Sequence, residues 1–73
     1  MSEIVINAVY DDDARVWVAV NDDLGLATEA ESIEVLVYKL KEMIPELVAL
    51  NGLPLPKPIQ FSVVSHRQVC AFA

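Results

Sequence analysis

The hydrophobic pattern changes its period once, at Ser32, and this change constrains the fold most strongly. Before Ser32, apolar residues alternate in short segments that end in acidic turns, as in β-strands. After Ser32, apolar residues recur at the three- and four-residue steps of an amphipathic helix, at Ile33, Leu36, Val37, Leu40, Met43, Ile44, Leu47 and Val48. Alternation returns at Ile59. The sequence therefore predicts an α+β domain with the element order β-β-β-α-β.

The turn and capping residues set the expected bounds of these elements. We expect strands over residues 4–10, 15–20, 24–28 and 59–65, with the tail 69–72 extending or following the last one. Gly25 marks a bulge or a close backbone approach. Ser32 caps the helix and Asn51-Gly52 ends it. Pro45 removes a helical amide, which predicts a kink or a restart near Ile44, and the prolines of residues 53–58 predict an extended linker.

The directions of the elements predict the sheet topology. Three antiparallel strands, a returning helix and a right-handed crossover place the last strand parallel to the first, which gives one helix on a four-stranded mixed sheet of order 3-2-1-4. The first strand is apolar on both faces, and one helix covers one face. The other face then exposes an apolar patch, formed by Trp17 or by the row Val16, Val18 and Val20. This predicts self-association as a homodimer, unless the helix, linker and tail wrap around more of the sheet.

Length and composition limit the class of protein. With 73 residues the chain forms one domain, 1–73, and its apolar fraction of 55% supplies more apolar surface than a core of that size hides. Cys70 is the single cysteine, so no internal disulfide forms, and we expect it to be a small buried hydrophobic residue. The sequence has no membrane-spanning run and no basic signal start, which predicts a cytoplasmic protein.

Charge is unevenly distributed along the chain. The net charge is -6; residues 1–34 carry nine acidic residues against Arg15, whereas residues 35–73 carry two acidic residues against four basic ones. This balance argues against direct nucleic-acid binding, which needs a basic patch. An acidic half favours a basic partner, and the simpler alternative is that these charges keep an apolar domain in solution.

The sequence contains no recognisable catalytic motif. No nucleophile motif and no glycine-rich phosphate loop is present, and His66 is expected to be a solvated edge residue. The runs Asp11-Asp13 and Asp22-Asp23 lack the alternating ligands of a calcium loop and are interpreted as turns. We therefore predict no enzyme, no metal and no cofactor. The alternative, a metal-dependent hydrolase, would need Mg²⁺ or Mn²⁺ at these turns.

Two segments carry a family resemblance. The stretch from Asp22-Asp23-Leu24-Gly25 to Thr28-Glu29-Ala30 and the stretch Pro45-Glu46-Leu47 to Asn51-Gly52, with Tyr10-Asp11 and Val16-Trp17-Val18-Ala19, resemble short bacterial domains related to HicB-type antitoxins. The resemblance spans nearly the whole chain. It implies a β-β-β-α-β domain related to a truncated RNase H fold, and a partner of the HicA type, a small basic RNA-cleaving toxin. Many members of that family carry a C-terminal DNA-binding segment that these 73 residues lack, and this difference from the family pattern argues against DNA binding.

The leading hypothesis is a non-enzymatic, antitoxin-like protein-binding module. In this hypothesis an acidic surface binds and masks a small basic toxin, and the predicted partner-binding residues are Asp11, Asp12, Asp13, Trp17, Asp22, Asp23 and Glu29. The alternative is a stand-alone homodimeric domain with a structural or regulatory role. The two hypotheses are compatible with each other.

Overall fold

The computed structural model describes residues 4–55 and 58–72 and forms one sheet with one helix. The elements are β1 (Ile4–Asp11), β2 (Val16–Asn21), β3 (Leu26–Ala30), α1 (Ile33–Leu50) and β4 (Phe61–His66). The sheet order is β3-β2-β1-β4, with β2 antiparallel to β1 and β3, and with β4 parallel to β1. The predicted α+β architecture and strand order are confirmed.

The core lies between the helix and one face of the sheet. β1 contributes Ile4, Ile6 and Ala8 to it, and Ala19 of β2 is fully buried beside Ala8. The helix contributes one residue per turn, at Leu36, Leu40, Ile44 and Val48. The helix packs chiefly on β3 and β2, so Phe61 and Val63 of β4 remain partly exposed on this face.

The helix begins and ends where its capping residues predict. The Ser32 hydroxyl accepts a hydrogen bond from the Val35 amide at 3.2 Å, and Glu34 lies in the first turn. At the other end Gly52 has φ +63°, and the Leu53 amide donates to the Val48 carbonyl at 3.1 Å. This left-handed stop satisfies helical carbonyls that have no partner within the helix.

Pro45 does not divide the helix, so the predicted restart near Ile44 is wrong. α1 runs without interruption from Ile33 to Leu50. Pro45 and Lys41, whose carbonyl loses its amide partner, both lie on the exposed side, where water can bond that carbonyl. Ile44 and Val48 lie on the buried side, and their packing holds the helix together across the proline.

The second turn shifts β3 two residues beyond its predicted start. Leu24 is only 2% exposed, and its amide donates to Oδ1 of Asn21 at 3.1 Å. Gly25 has φ +66° and its amide donates to the Asp22 carbonyl at 3.2 Å, so this glycine serves the turn and forms no bulge in β3. Asn51 then links the turn to the helix, because its Nδ2 donates to the carbonyls of Leu24 and Leu47.

The chain on either side of β4 lacks regular structure. Residues 53–55 and 58 form the predicted non-helical linker, within which Pro56 and Lys57 lie outside the described residues. Residues 59–60 also lack regular structure, so β4 begins two residues after its predicted start at Ile59, and Leu55 and Ile59 pack against the core. Residues 67–72 form no strand, although a strand over 69–72 was one expectation. Cys70 is exposed, so its predicted burial is wrong, because the tail leaves the sheet after His66 and nothing described packs over it.

Among the described residues, no helix is long and apolar enough to span a membrane.

Candidate functional site

The face of the sheet opposite the helix carries a continuous set of valines. The strand register brings them together in cross-strand rows, since paired residues point to the same side of a sheet. One row reads Glu29, Val18, Val9, His66, and the next reads Ala27, Val20, Asn7, Val64. We call the following set the valine face: Val5, Val9, Val16, Val18, Val20 and Val64.

The valine face is open to solvent. Val5, Val9, Val20 and Val64 are 37%, 53%, 47% and 41% exposed, and Val16 and Val18 are partly exposed. Single exposed apolar residues are ordinary on protein surfaces, but a contiguous apolar patch of this kind usually marks an interaction surface. Asn7 lies at its centre and is also exposed, which adds a hydrogen-bonding group to the apolar surface.

The two orientations that the sequence left open for β2 are now resolved. The row Val16, Val18 and Val20 lies on the open face, and Trp17 lies on the helix side together with buried Ala19. The described linker and tail residues leave the valine face exposed, so they do not wrap over it.

Five acidic residues collect at one end of the valine face. Asp11, the last residue of β1, pairs with Val16 of β2. Trp17 pairs with Ala30 of β3, so the same register sets Val16 beside Glu31. The backbones of Asp11 and Glu31 are therefore two strand spacings, about 10 Å, apart. We call this group the acidic end; it comprises Asp11, Asp12, Asp13, Glu29 and Glu31, all of them at least partly exposed. Asp11 and Glu29 belong to the open face and border the valines directly.

Three basic residues lie at this end against five carboxylates: Lys39, Arg15 and Arg67, whose guanidinium packs on the Tyr10 ring next to Asp11. The Lys39 ammonium reaches from the helix and donates to the Glu29 carbonyl at 2.7 Å. Arg15 closes the β1–β2 turn with φ +57°, and its amide donates to the Asp11 carbonyl. Val16, Glu29 and Lys39 line a shallow groove along the edge of β3. The end of the sheet therefore presents an excess of carboxylates beside an apolar surface.

Asp22 and Asp23 do not join this group. They lie in the β2–β3 turn, and the six residues of β2 separate this turn from the Asp11–Asp13 turn. At about 3.3 Å per residue the two turns stand roughly 20 Å apart. A hairpin followed by a third strand places successive turns at opposite ends of the sheet, and the predicted single acidic surface over both turns is therefore divided in two.

The first turn uses one aspartate for its own structure. Oδ1 of Asp11 accepts hydrogen bonds from the amides of Asp13 and Ala14 at 3.0 and 3.2 Å. Such a turn accounts for an aspartate at this position without a ligand. Asp12 and Asp13 are exposed. Over residues 4–55 and 58–72, no three His, Cys, Asp or Glu side chains are arranged to hold a metal ion.

Trp17 belongs to an aromatic group on the helix side. Its ring meets the Tyr10 ring edge-on, with centroids 5.2 Å apart and an interplanar angle of 65°. The Arg67 guanidinium carbon lies 4.0 Å from the centroid of the Tyr10 ring, in cation–π contact. Trp17 therefore faces away from Glu29, and the aromatic group holds the first residue after β4 against the sheet.

Residue alternation alone did not find several members of this surface. Glu31, Asn7 and Val64 enter it through the pairing register, which sets strands from distant parts of the chain side by side. The alternation of Val5 and Val9 with buried Ile4, Ile6 and Ala8 was the available signal for an open apolar face. The alternating directions of β1, β2 and β3 place the two aspartate turns at opposite ends of the sheet, and this signal was also available in the sequence.

Comparison with known proteins places the chain in a group without an assigned activity. The family model described as a domain of unknown function, DUF1902, matches residues 3–72. The fold is similar to the crystal structure of a hypothetical protein from the extreme thermophile Thermus thermophilus, with 39% sequence identity and a TM-score of 0.81. That match covers 96% of this chain and 100% of the other. No curated protein matches the chain.

Proposed function

The chain belongs to the DUF1902 family of domains of unknown function, and we propose that it is a protein-binding module whose binding surface is the valine face with the adjoining acidic end. The observation that carries this proposal is the continuity of the two surfaces. Asp11 and Glu29 lie on the same face as the valines and next to them. A partner that covers the valines therefore meets these carboxylates in the same contact.

The chemistry of the surface specifies the partner. Valines supply non-directional burial, which favours a flat apolar patch on the other protein. Carboxylates at one end favour Lys and Arg side chains at the rim, where they accelerate encounter and fix orientation. We therefore propose a small basic protein with an apolar patch as the partner. The resemblance of the Asp22–Ala30 and Pro45–Gly52 segments to HicB-type antitoxins supports a toxin-like protein of the HicA type in this role.

The first experiment measures the mass of the complex by light scattering. The protein is mixed with the product of a small basic reading frame adjacent to its own gene, first at low salt and then at increasing salt. We expect a defined complex that weakens as salt rises, because rim charges are screened within a Debye length of about 8–10 Å near physiological salt. Absence of a complex at low salt with every such neighbour would contradict the proposal.

A pair of charge variants locates the contact. Glu29→Gln with Asp12→Asn removes two charges at the acidic end, and Asp22→Asn with Asp23→Asn removes two charges at the opposite end. We expect the first pair to lower the affinity about tenfold and to reduce its salt dependence, and the second pair to have little effect. If both double variants lowered the affinity equally, the net charge of the chain would account for the loss, and a defined contact at the acidic end would be contradicted.

A second comparison tests the apolar part of the surface. Val9→Thr with Val20→Thr keeps β-branched side chains and hence the strand preference, but replaces exposed methyl groups by hydroxyls. We expect about tenfold weaker binding, since each buried methyl contributes roughly 0.8 kcal/mol. Leu50→Ala is the control, because Leu50 is 81% exposed at the far end of the helix and lies outside the proposed surface. Binding that is insensitive to the valine variants would refute this surface.

A homodimer without a heterologous partner is the second candidate, and the exposed tail after β4 favours it. A homodimer is compatible with the first proposal if the two copies meet through a different surface.

A further inference from the structure

Residues 67–72, which follow β4, are exposed and have no regular structure. The described structure measures 50 × 22 × 19 Å and has a radius of gyration of 13.8 Å, against about 11 Å for a compact chain of this length. The 18-residue helix accounts for about 27 Å of the long dimension. The remainder, about 23 Å, is close to the reach of six extended residues. From these dimensions and from the exposure of residues 67–72 we infer that the tail projects beyond the domain.

This tail is apolar and exposed. Val69 is 72% exposed, Phe72 is 96% exposed, and Cys70 and Ala71 are exposed as well. After Arg67 the tail has no charged residue up to Phe72. A phenylalanine buries a large apolar area when it is covered, so its full exposure leaves substantial binding energy unused.

The first residue of the tail, Arg67, contacts the sheet. The guanidinium of Arg67 packs on the Tyr10 ring, and that ring is held by Trp17. Tyr10 lies near the end of β1, beside the end of β4. The contact therefore holds Arg67, the first residue of the tail, against the end of the sheet.

β4 offers the surface that such a tail fits. It is an edge strand, with β1 on one side, and no other described strand pairs with it. The side chains of Phe61 and Val63 on its helix side are only partly buried, since the helix lies over β3 and β2. An exposed edge strand pairs readily with an added extended segment.

We propose that the tail of each copy, residues 67–72, adds as a strand to β4 of a second copy of this chain, and that this reciprocal exchange forms a dimer. The six residues of β4 give the described tail residues 67–72 a strand along which most of them can pair. A two-fold axis through the junction of β4 and the tail sets each tail antiparallel along the partner's β4. Each copy then gives and receives the same contact, which closes the assembly.

The charges at the junction select the register. An axis at Arg67 would set two arginines directly opposite each other, which is unfavourable. An axis at His66 avoids this and places Val69 opposite Val63, and Ala71 opposite Phe61. Val69 and Ala71 then cover the partly exposed Val63 and Phe61, whereas Phe72 falls opposite Gln60, just before β4.

The area that this contact buries is sufficient for a stable dimer. A six-residue extended segment of about 700 Da exposes roughly 1,000 Å². If half of the tail is covered, and a similar area of the β4 edge that receives it, each copy buries about 1,000 Å². Standard protein interfaces bury about 800 Å² per partner. In this register Gln68 lies opposite Val64, at the margin of the valine face, but the dimer contact runs along the β4 edge, so this inference does not rest on the proposed function.

The test measures the mass of the purified full chain alone by light scattering from about 1 to 100 μM, a range that covers micromolar dissociation constants. We expect a dimer. Val69→Lys with Phe72→Lys should raise the dissociation constant at least about 100-fold, because each dimer then places two charged side chains opposite Val63 and two more at the ends of the added strands, opposite Gln60. Lysine lowers the net negative charge of the chain, so general repulsion between copies cannot explain the loss.

The matched control is Tyr38→Lys with Leu50→Lys, which makes the same charge change at two exposed apolar residues of the helix. This variant should remain a dimer. Circular dichroism should show unchanged folding for both variants, because all four positions are exposed. A monomeric wild type over the whole range, or equal dimerisation of the wild type and the tail variant, would overturn the inference.

The distance between the two Cys70 residues of the dimer tests whether the tails are exchanged as proposed. A spin label on Cys70, the single cysteine, reports the separation of the two tails by pulsed dipolar spectroscopy. Cys70 lies four residues from an axis at His66, so the two Cα atoms should be roughly 27 Å apart with a narrow distribution. A broad distribution, or a dimer that persists in the tail variant, would assign dimerisation to another surface and overturn the exchange.

Discussion

Replacing Pro45 with alanine should stabilise the domain by about 2 kcal/mol. Proline in a helix interior costs about 3 kcal/mol, since it removes the hydrogen bond to the carbonyl four residues earlier and crowds that carbonyl. Here that carbonyl belongs to Lys41, and the helix continues through Pro45 on both sides. Pro45→Ala restores the amide at an exposed position, where the smaller side chain leaves no cavity.

The unfolded state offsets part of this gain. Proline restricts the unfolded chain, and its removal increases the conformational entropy lost on folding, by about 0.4–1 kcal/mol. The net gain of about 2 kcal/mol should raise Tm by roughly 8–16 °C for a chain of this size. Urea unfolding should show a higher midpoint with an unchanged slope, because the buried surface stays the same.

The assay is thermal and urea unfolding followed by circular dichroism, at one fixed protein concentration so that self-association contributes equally. Glu46→Ala is the control, because it changes the next exposed helical residue and should stay within about 0.5 kcal/mol of the wild type. An unchanged or lowered midpoint for Pro45→Ala would refute the reasoning that the proline is held in the helix at the expense of stability.

Three further substitutions test the packing and the turns by the same unfolding measurement. Leu40→Ala should destabilise the domain by about 2–5 kcal/mol, because Leu40 is fully buried and its truncation leaves a cavity; a loss below about 1 kcal/mol would contradict the assigned core. Gly52→Ala should cost about 1–2 kcal/mol through its φ of +63° alone, since nothing lies within 4 Å of an added Cβ; Ala49→Gly, within the helix, separates this effect from helix propensity. Asp11→Ala should cost about 1 kcal/mol by removing the acceptor for two turn amides, and Asp11→Asn should restore most of it.

The elements whose neighbours are close in sequence were predictable. The first hairpin follows from the Asp11-Asp12-Asp13 run between two alternating segments, and the helix follows from Ser32, the period of 3.6 and Asn51-Gly52. The parallel pairing of the last strand followed from counting directions, because one returning helix leaves that strand parallel to the first. The local sequence pattern and the strand directions therefore both predicted the observed order β3-β2-β1-β4.

The features that the sequence did not reveal depend on what surrounds a segment. The apolar residues around Cys70 predicted that it would be buried, but Cys70 is exposed. Sequence alternation indicates an extended segment and does not indicate whether a neighbouring strand covers that segment. Pro45 was expected to kink the helix or restart it near Ile44, and the restart is absent because propensity is local, whereas the packing of Ile44 and Val48 is tertiary. The acidic residues were grouped by sequence half, yet β2 separates Asp22 and Asp23 from the acidic end.

The binding role of the valine face is tested most directly by methyl NMR. The chain is labelled at the methyl groups of valine and leucine and titrated with the small basic protein encoded beside its gene. We expect the methyl signals of Val9, Val18 and Val20 to shift or broaden, and those of Leu50 to stay in place. Shifts confined to Leu50 and other residues of the outer helix surface, or no shifts at all, would contradict this role.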